Sequence, residues 1–165
     1  MKSTYFILRL IMTLVIVSLA VEAPGQSKPQ VKTEPQTVSR IPQLLDGAGY
    51  AYKKAADNVW AVTFKGSFLT EMNVFITSAG RLIIIGAVVA PKKSMRLNSE
   101  AMSKLLRLAH EIDWVKIGFD SDEDLFLRAE VSSKCLDVDD FKAIVEQVFA
   151  GVERAHDAVK PYLVK

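Results

Sequence analysis

The amino-acid sequence predicts an α+β fold in which helices cover one face of an antiparallel sheet of five or six strands. Several short segments alternate apolar and polar residues, as strands with one buried face do. Short connections join these segments, and short connections are typical of antiparallel neighbours. Other segments repeat apolar residues at intervals of three and four, which is helical spacing. The predicted order is helix, a brief first strand, three strands, helix, two strands and a long helix.

The strands are predicted from their patterns of apolar residues. Val59–Phe64 and Met72–Thr77 alternate, so each is expected to bury one face. Leu82–Val89 is apolar on both faces, which predicts a central strand that is covered on both sides. The remaining predicted strands are Tyr50–Tyr52, Val115–Phe119 and Leu125–Val131.

The helices are predicted from spacing and from residues that favour helix ends. The last helix is expected over residues 138–160, with Asp137 as its N-cap and Pro161 ending it. The middle helix follows Asn98 as N-cap, and a short first helix is expected at Pro42–Leu45. The residues of the middle helix that are expected to face inward are Met102, Leu105, Leu106, Ala109 and Ile112.

Residues 1–23 have the layout of a signal peptide. Lys2 and Arg9 precede the apolar run Leu10–Val21, which is short for a membrane span, and small residues lie at its end. Cleavage is expected after residue 20 or 23, and an uncleaved anchor is the alternative. The mature protein is therefore predicted to be exported, either to the periplasm or out of the cell.

Residues 24–40 contain several prolines and glutamines and little that could be buried. Such a composition is typical of a disordered linker. The linker is predicted to join the signal peptide to one folded domain at residues 41–165. Contact with a membrane is expected only through an uncleaved N-terminal segment.

The residues that could carry chemistry are isolated. Asp120–Asp124 resembles the start of a calcium loop, but Leu125 stands where glycine is required, so an acidic hairpin tip is expected. Cys135, the only cysteine, is expected to be a shielded apolar residue, with intermolecular pairing as the alternative. His110 and His156 lack neighbouring metal ligands. A net charge of +2 gives no indication of nucleic-acid binding. We therefore predict no enzymatic activity, no cofactor and no metal site.

Strand alternation predicts a second apolar face on the sheet. Phe126 points away from Leu125 and Leu127, which are assigned to the helix side. The candidate partner-binding residues on the outward side are Trp114, Phe126, Phe75, Ile83 and Ile85, although parity is open on the strand that is apolar on both faces. Such a face requires cover. Either the first helix or linker covers it, or a protein partner or second subunit does.

Two parts of the sequence resemble the YbjN-type domain family over residues 41–163. They are the strand pair around Trp60-Ala-Val and Gly80-Arg-Leu-Ile, and the stretch LLRLAHEIDWVKIGFDSDEDLFLRAEVSSKCLDVDDFKAIVEQV. The resemblance implies the fold of type III secretion chaperones, which are small α+β proteins that often pair as dimers. It implies association and supplies no catalytic residues. The export signal departs from the family pattern.

Taken together, these patterns predict an exported, non-enzymatic binding domain that presents an apolar sheet face to a protein partner or second subunit. The alternative is a carrier that holds a small apolar ligand in a cavity between helices and sheet.

Overall fold

The structure is a computed structural model that describes residues 35–164. The predicted signal peptide, and the predicted linker as far as residue 34, lie outside the described residues. The strands are β1 (Tyr52–Ala56), β2 (Val59–Phe64), β3 (Met72–Ala79), β4 (Leu82–Ala90), β5 (Lys116–Phe119) and β6 (Leu125–Ser132). The helices are α1 (Pro35–Gly47), α2 (Ser99–Glu111) and α3 (Val138–Val159), with short 3-10 turns at Lys92–Ser94 and Lys160–Tyr162.

The six strands form one antiparallel sheet in the order β1-β2-β3-β4-β6-β5. The first four strands follow one another through hairpins, and Asn58 and Gly80 adopt positive φ angles at two of the turns. β6 then pairs with β4, which places β5 at the far edge. The predicted α+β class, element order and antiparallel sheet are confirmed. The first strand begins at Tyr52, two residues after its predicted start.

The three helices pack on the same face of the sheet. α3 contacts β4, β6 and β3, α2 packs against α3 and β5, and α1 contacts β3, β4 and α3. Phe141, Val145 and Val148 are fully buried on α3 and belong to one core cluster with the helix-facing residues of the strands. α3 lies so close to the sheet that a Cβ at Gly151 would be 2.7 Å from Cδ2 of Leu127.

Two predicted N-caps are confirmed by their hydrogen bonds. The side chain of Asn98 accepts a 3.0 Å bond from the backbone N–H of Ala101 at the start of α2. The side chain of Asp137 accepts a 2.8 Å bond from the N–H of Asp140 at the start of α3. These residues fix where the two helices begin, and α3 follows the predicted range to within one residue.

The first helix is longer than the sequence predicted. α1 begins at Pro35, so the helix extends into the segment that was assigned to the linker. Pro42 lies within the helix and not in its first turn. Ile41 and Leu45 are fully buried and Val38 is half-buried. Their spacing of three and four residues explains why the chain is helical before Pro42.

The inward face of α2 was predicted correctly at Leu105 and Ile112 but not at Met102 and Leu106. Ala101, Leu105 and Leu108 are buried, whereas Leu106 is 69% exposed and Met102 is 36% exposed. The predicted inward residues and the residues that are buried in the structure both form apolar stripes at helical spacing, so the pattern alone did not distinguish the two sets. The contact with α3 decides the phase, and it leaves Met102 and Leu106 in water.

Candidate binding surface

The candidate surface is the side of the sheet opposite the three helices, which we call the outer face. Its centre is a row of residues that lie directly opposite one another on all six strands. In sheet order the row is Lys53, Ala61, Phe75, Gly86, Arg128 and Lys116. Adjacent strands are about 4.8 Å apart, so the row extends roughly 24 Å across the sheet. The outer face is therefore continuous from one edge strand to the other.

Apolar side chains flank the middle of this row. On β4, Ile84 and Val88 lie two residues before and after Gly86, and β6 contributes Phe126 opposite Val88. Phe75, Val88 and Phe126 are half-buried, and Ile84 is 9% exposed. None of the four belongs to the core cluster beneath the helices. We call these four residues, which lie on the side of the sheet opposite the described helices, the apolar patch.

Gly86 lies in the middle of the patch, where β4 and β6 approach each other closely. A Cβ at this position would lie 2.9 Å from the backbone oxygen of Leu127 and 3.0 Å from Cβ of Arg128. A side chain at residue 86 would therefore force its neighbours on β6 to move. Glycine allows this close approach between Phe75 on β3 and Arg128 on β6.

Arg128 lies directly opposite Gly86 on β6 and links the apolar patch to a group of charges. Its guanidinium lies 5.3 Å from the ring centroid of Phe126, which is a cation–π distance. Nη2 of Arg128 is 2.8 Å from Glu130 Oε1, and Nζ of Lys116 is 2.6 Å from Glu130 Oε2. The hydrogen bond from Lys116 and the nearby Arg128 charge hold the pKa of Glu130 below its usual value, although partial burial opposes them.

Two of the five residues predicted for this surface lie on it. Phe75 and Phe126 are on the outer face, on strands separated by β4. Ile83 and Ile85 are not: both are fully buried on the helix side, and this assignment was wrong. Ile83 pairs with Val131 and Ile85 with Ala129, and these pairs share the face of Leu127. Ile84 takes the outward position instead.

Trp114 lies outside the strands. It has a left-handed backbone with φ 63° and is 62% exposed, and β5 begins two residues later. Strand alternation therefore does not apply to it. Trp114 is therefore largely exposed, and its assignment to the sheet face by parity has no basis in the fold.

The sequence reasoning missed Ile84, Val88 and Gly86 as members of the surface. Alternation along β6 places Arg128 outward together with Phe126, although Arg128 was not among the candidate residues. Register identifies the other three, because Arg128 pairs with Gly86. That pairing fixes the parity of β4 and turns Ile84 and Val88 outward. The signal was present on β6, but the partner of β4 had not been established.

A second region lies between α2, α3 and the loop that joins β2 to β3. A cleft of about 340 Å³ is open to solvent there, and its lining residues are mostly charged. They are Phe68, Lys104, Arg107, Leu108, Glu111, Arg154, Asp157 and Ala158. Phe68 is 49% exposed at the rim. A charged, open cleft differs from the enclosed apolar cavity that a carrier of an apolar ligand requires.

Glu153 fixes the loop at this cleft. Its carboxylate accepts bonds from three consecutive backbone N–H groups, those of Ser67 at 2.6 Å, Phe68 at 3.1 Å and Leu69 at 3.0 Å. Burial alone would raise the pKa of Glu153, but these three bonds outweigh it and the pKa is lowered. A Cβ at Gly66 would be 2.2 Å from Glu153 Oε1, so only glycine leaves room for the carboxylate. The buried charge has a structural role.

The remaining candidate groups do not assemble into a reactive site within residues 35–164. Cys135 is exposed, so its predicted shielding is wrong. His110 is exposed on α2, and burial lowers the pKa of His156 on α3. Asp124 is buried and accepts a 2.7 Å bond from the N–H of Lys92, so the acidic hairpin tip is partly structural. Among these described residues, no group of three or more His, Cys, Asp or Glu side chains is placed to hold a metal ion.

The helices of residues 35–164 include none with the length and hydropathy of a transmembrane span.

The fold is shared with secretion chaperones and with YbjN. A chain of the heterodimeric ExoU–SpcU complex from the type III secretion system of Pseudomonas aeruginosa matches with a TM-score of 0.56 and 17% identity, over 73% of this chain and 98% of that one. YbjN from E. coli matches with a TM-score of 0.55 and 14% identity, over 82% of this chain and 98% of that one. A chain of the ExsC–ExsE complex matches with a TM-score of 0.54 and 14% identity, over 75% of this chain and 93% of that one.

At these identities the likeness establishes the fold alone. The predicted YbjN-like, secretion-chaperone-like fold is confirmed. No protein-family model matches the chain, and no curated protein matches it.

Proposed function

We propose that this protein is an exported binding domain that holds a polypeptide partner against the outer face of its sheet. The observation that carries the proposal is the apolar patch formed by Phe75, Ile84, Val88 and Phe126, with all three described helices on the opposite face. Apolar surface of this kind marks interaction sites in soluble proteins. Aromatic residues supply much of the binding energy at such sites.

The structural neighbours support binding as the general function. Two of them were solved as complexes with a protein partner, ExoU–SpcU and ExsC–ExsE. The same likeness gives no support to catalysis. Within this chain, the packing of Gly151 against Leu127 leaves no space there for a ligand between α3 and the sheet. Binding of a polypeptide on the surface is thus better supported than transport of a small apolar ligand.

Export is the second part of the proposal, and it rests on the sequence of residues 1–23. The run Leu10–Val21 follows Lys2 and Arg9, as the apolar segment of a signal peptide follows its basic start. We expect the protein recovered from the producing cell to begin between Val21 and Gln26. Intact-mass measurement of membrane-bound protein that retains residues 1–20 would contradict export with cleavage.

Site-specific photo-cross-linking tests the binding surface. We would place benzoylphenylalanine at Ala61, in the central row of the outer face, and at Ala150, an exposed alanine on α3, as the matched control. Cross-linking in the producing cells should give a discrete adduct from residue 61 and not from residue 150. The substitutions Phe75→Ser and Phe126→Ser, added together, should lower the adduct yield about tenfold, because aromatic anchors contribute most at interfaces.

Thermal unfolding of the double variant provides the control for folding. Both phenylalanines lie outside the core cluster, so the variant should unfold cooperatively, as the parent does. Equal adducts from residues 61 and 150, or an adduct that the double substitution leaves unchanged, would contradict the proposed surface.

A further inference from the structure

We propose that the partner of the outer face is an acidic polypeptide segment with an apolar residue close to its carboxylates. This inference rests on the proposed function and specifies the chemistry of the partner. Two independent features of the face carry it: an excess of positive charge, and apolar residues directly beside the most central cation.

The strands place more cations than anions on the outer face. Lys53 stands at the β1 end of the central row, and Arg128 and Lys116 stand at the other end. Glu130 is the one acidic strand residue among the described positions of this face. Both of its oxygens are already bound, Oε1 by Arg128 and Oε2 by Lys116. One carboxylate shared by two cations leaves positive charge for a partner to neutralise.

Arg128 is held in a position to receive a carboxylate. The ring of Phe126 lies 5.3 Å from the guanidinium, and Glu130 binds only its Nη2. A guanidinium presents several donors in a fixed plane, so one bound carboxylate does not exhaust it. Lys116 next to it remains largely exposed.

The apolar residues beside Arg128 determine how the partner must be arranged. The guanidinium lies 5.3 Å from the ring centroid of Phe126, and Phe126 is directly opposite Val88. An apolar side chain of the partner that packs on Phe126 or Val88 therefore lies next to the guanidinium. The partner must present its apolar residue and its carboxylate within one or two positions of each other.

Charge also argues against a second copy of this chain packed face to face. Such a pair would bring two surfaces together that each carry Lys53, Lys116 and Arg128 against one Glu130. Opposing like charges at an interface is unfavourable. The same excess favours a partner of opposite sign.

Peptide display tests the inference while the partner is unidentified. The probe is a random twelve-residue peptide library displayed on phage and selected against the immobilised mature protein. Parallel selections use the Phe75→Ser/Phe126→Ser variant, the charge-reversed Lys116→Glu/Arg128→Glu variant and Lys142→Gln, which removes an exposed cation at the start of α3. Thermal unfolding of each variant verifies that it is folded.

We expect selected peptides to contain Asp or Glu beside Leu, Ile, Val or Phe more often than the unselected library. Arg128→Gln should weaken the best peptide about tenfold. Lys142→Gln should leave its affinity unchanged, and affinity should fall as salt increases. Charge reversal should change the preference to Lys and Arg beside the same apolar residues.

The outcomes separate this inference from the proposed function. Selected peptides could bind the wild type and not the Phe75→Ser/Phe126→Ser variant, and yet be neutral or basic. This result would overturn the inference that the partner is acidic, and it would still support the outer face as the binding surface. Peptides that bind that variant as tightly as the wild type would overturn both. Sedimentation showing a dimer that the same variant dissociates would assign the face to a second copy and overturn the acidic partner.

Discussion

Removing the carboxylate of Glu153 should measurably destabilise the domain, although the residue lies outside the proposed binding surface. Glu153 is 8% exposed and accepts three backbone N–H bonds from the loop at residues 67–69. A hydrogen bond to a charged group contributes about 1.5–3 kcal/mol. Ser67 and Phe68 are exposed, so water can accept hydrogen bonds from their N–H groups in the variant and replace part of the lost stabilisation. We therefore expect Glu153→Ala to lower the free energy of unfolding by about 2–4 kcal/mol.

The assay is urea unfolding followed by tryptophan fluorescence, with Glu146→Ala as the matched control. Glu146 is an exposed glutamate of the same helix, and its removal should change the free energy of unfolding by less than about 0.5 kcal/mol. Gly66→Ala should also destabilise the protein, because the new methyl group occupies the position of the Glu153 carboxylate. In the Glu153→Ala background, Gly66→Ala should lower the free energy of unfolding by less, because the carboxylate with which the methyl group clashes is absent. A Glu153→Ala protein within about 0.5 kcal/mol of the wild type would refute this account of the loop.

The stabilisation by Glu153 should depend on pH with a defined sign. Its pKa is lowered in the folded protein from the ordinary value of 4.5, so its contribution is fully present above that value. The contribution is lost as pH falls through the folded pKa. The difference in stability between the wild type and Glu153→Gln should therefore be constant near neutrality and shrink below pH 4.5. A difference that grows on acidification would contradict the lowered pKa.

Three further predictions concern the core, a helix end and solvent exposure. Val148→Asp places an unpaired charge in the fully buried centre of α3 and should lower the free energy of unfolding by more than about 3 kcal/mol. Asp137→Ala removes an N-cap and should lower it by only about 1 kcal/mol. Equal urea midpoints for these two variants would contradict the burial of α3. Gly151→Ala should cost about 1–3 kcal/mol by overpacking against Leu127, from which the higher helix propensity of alanine subtracts about 1 kcal/mol. A variant that is more stable than the wild type by about 1 kcal/mol would show that the overpacking is absent. Trp60 is 6% exposed and Trp114 62%, so acrylamide should quench two distinct populations and Trp114→Phe should remove the accessible one.

The fold could be predicted because its signals are local. Asn98 and Asp137 begin helices through their own side chains, and the alternation in β2 and β3 is visible without reference to neighbouring strands. The start of α1 was less predictable. Pro42 favours the first turn of a helix, but the earlier spacing of Val38 and Ile41 continued the helix toward the N-terminus.

The candidate binding surface was only half predictable, because it depends on which strands are neighbours. Phe75 and Phe126 lie in alternating strands, so their parity could be read directly. β4 is apolar at nearly every position and therefore has no parity of its own. Ile83 and Ile85 were placed outward in error, and only the pairing of β4 with β3 and β6 assigns Ile84 to that side.

Trp114 and Cys135 show a second limit. Trp114 has a left-handed backbone, which interrupts the alternation that was extended to it from β5. Cys135 was expected to be shielded because free thiols are uncommon in exported proteins, but the turn between β6 and α3 leaves it exposed. In both cases, the geometry of a connecting segment determines where the side chain lies, and the general tendency does not.

The most direct test of the binding surface is a map of backbone amide signals by two-dimensional ¹H–¹⁵N NMR, recorded with and without the tightest peptide from the display selection. Binding on the outer face predicts the largest changes in β3, β4 and β6, around Phe75, Gly86 and Phe126, with the amides of α3 nearly unchanged. Changes concentrated instead in α2 and α3, around the cleft that contains Phe68 and Arg107, would contradict the claim that the outer face is the binding surface.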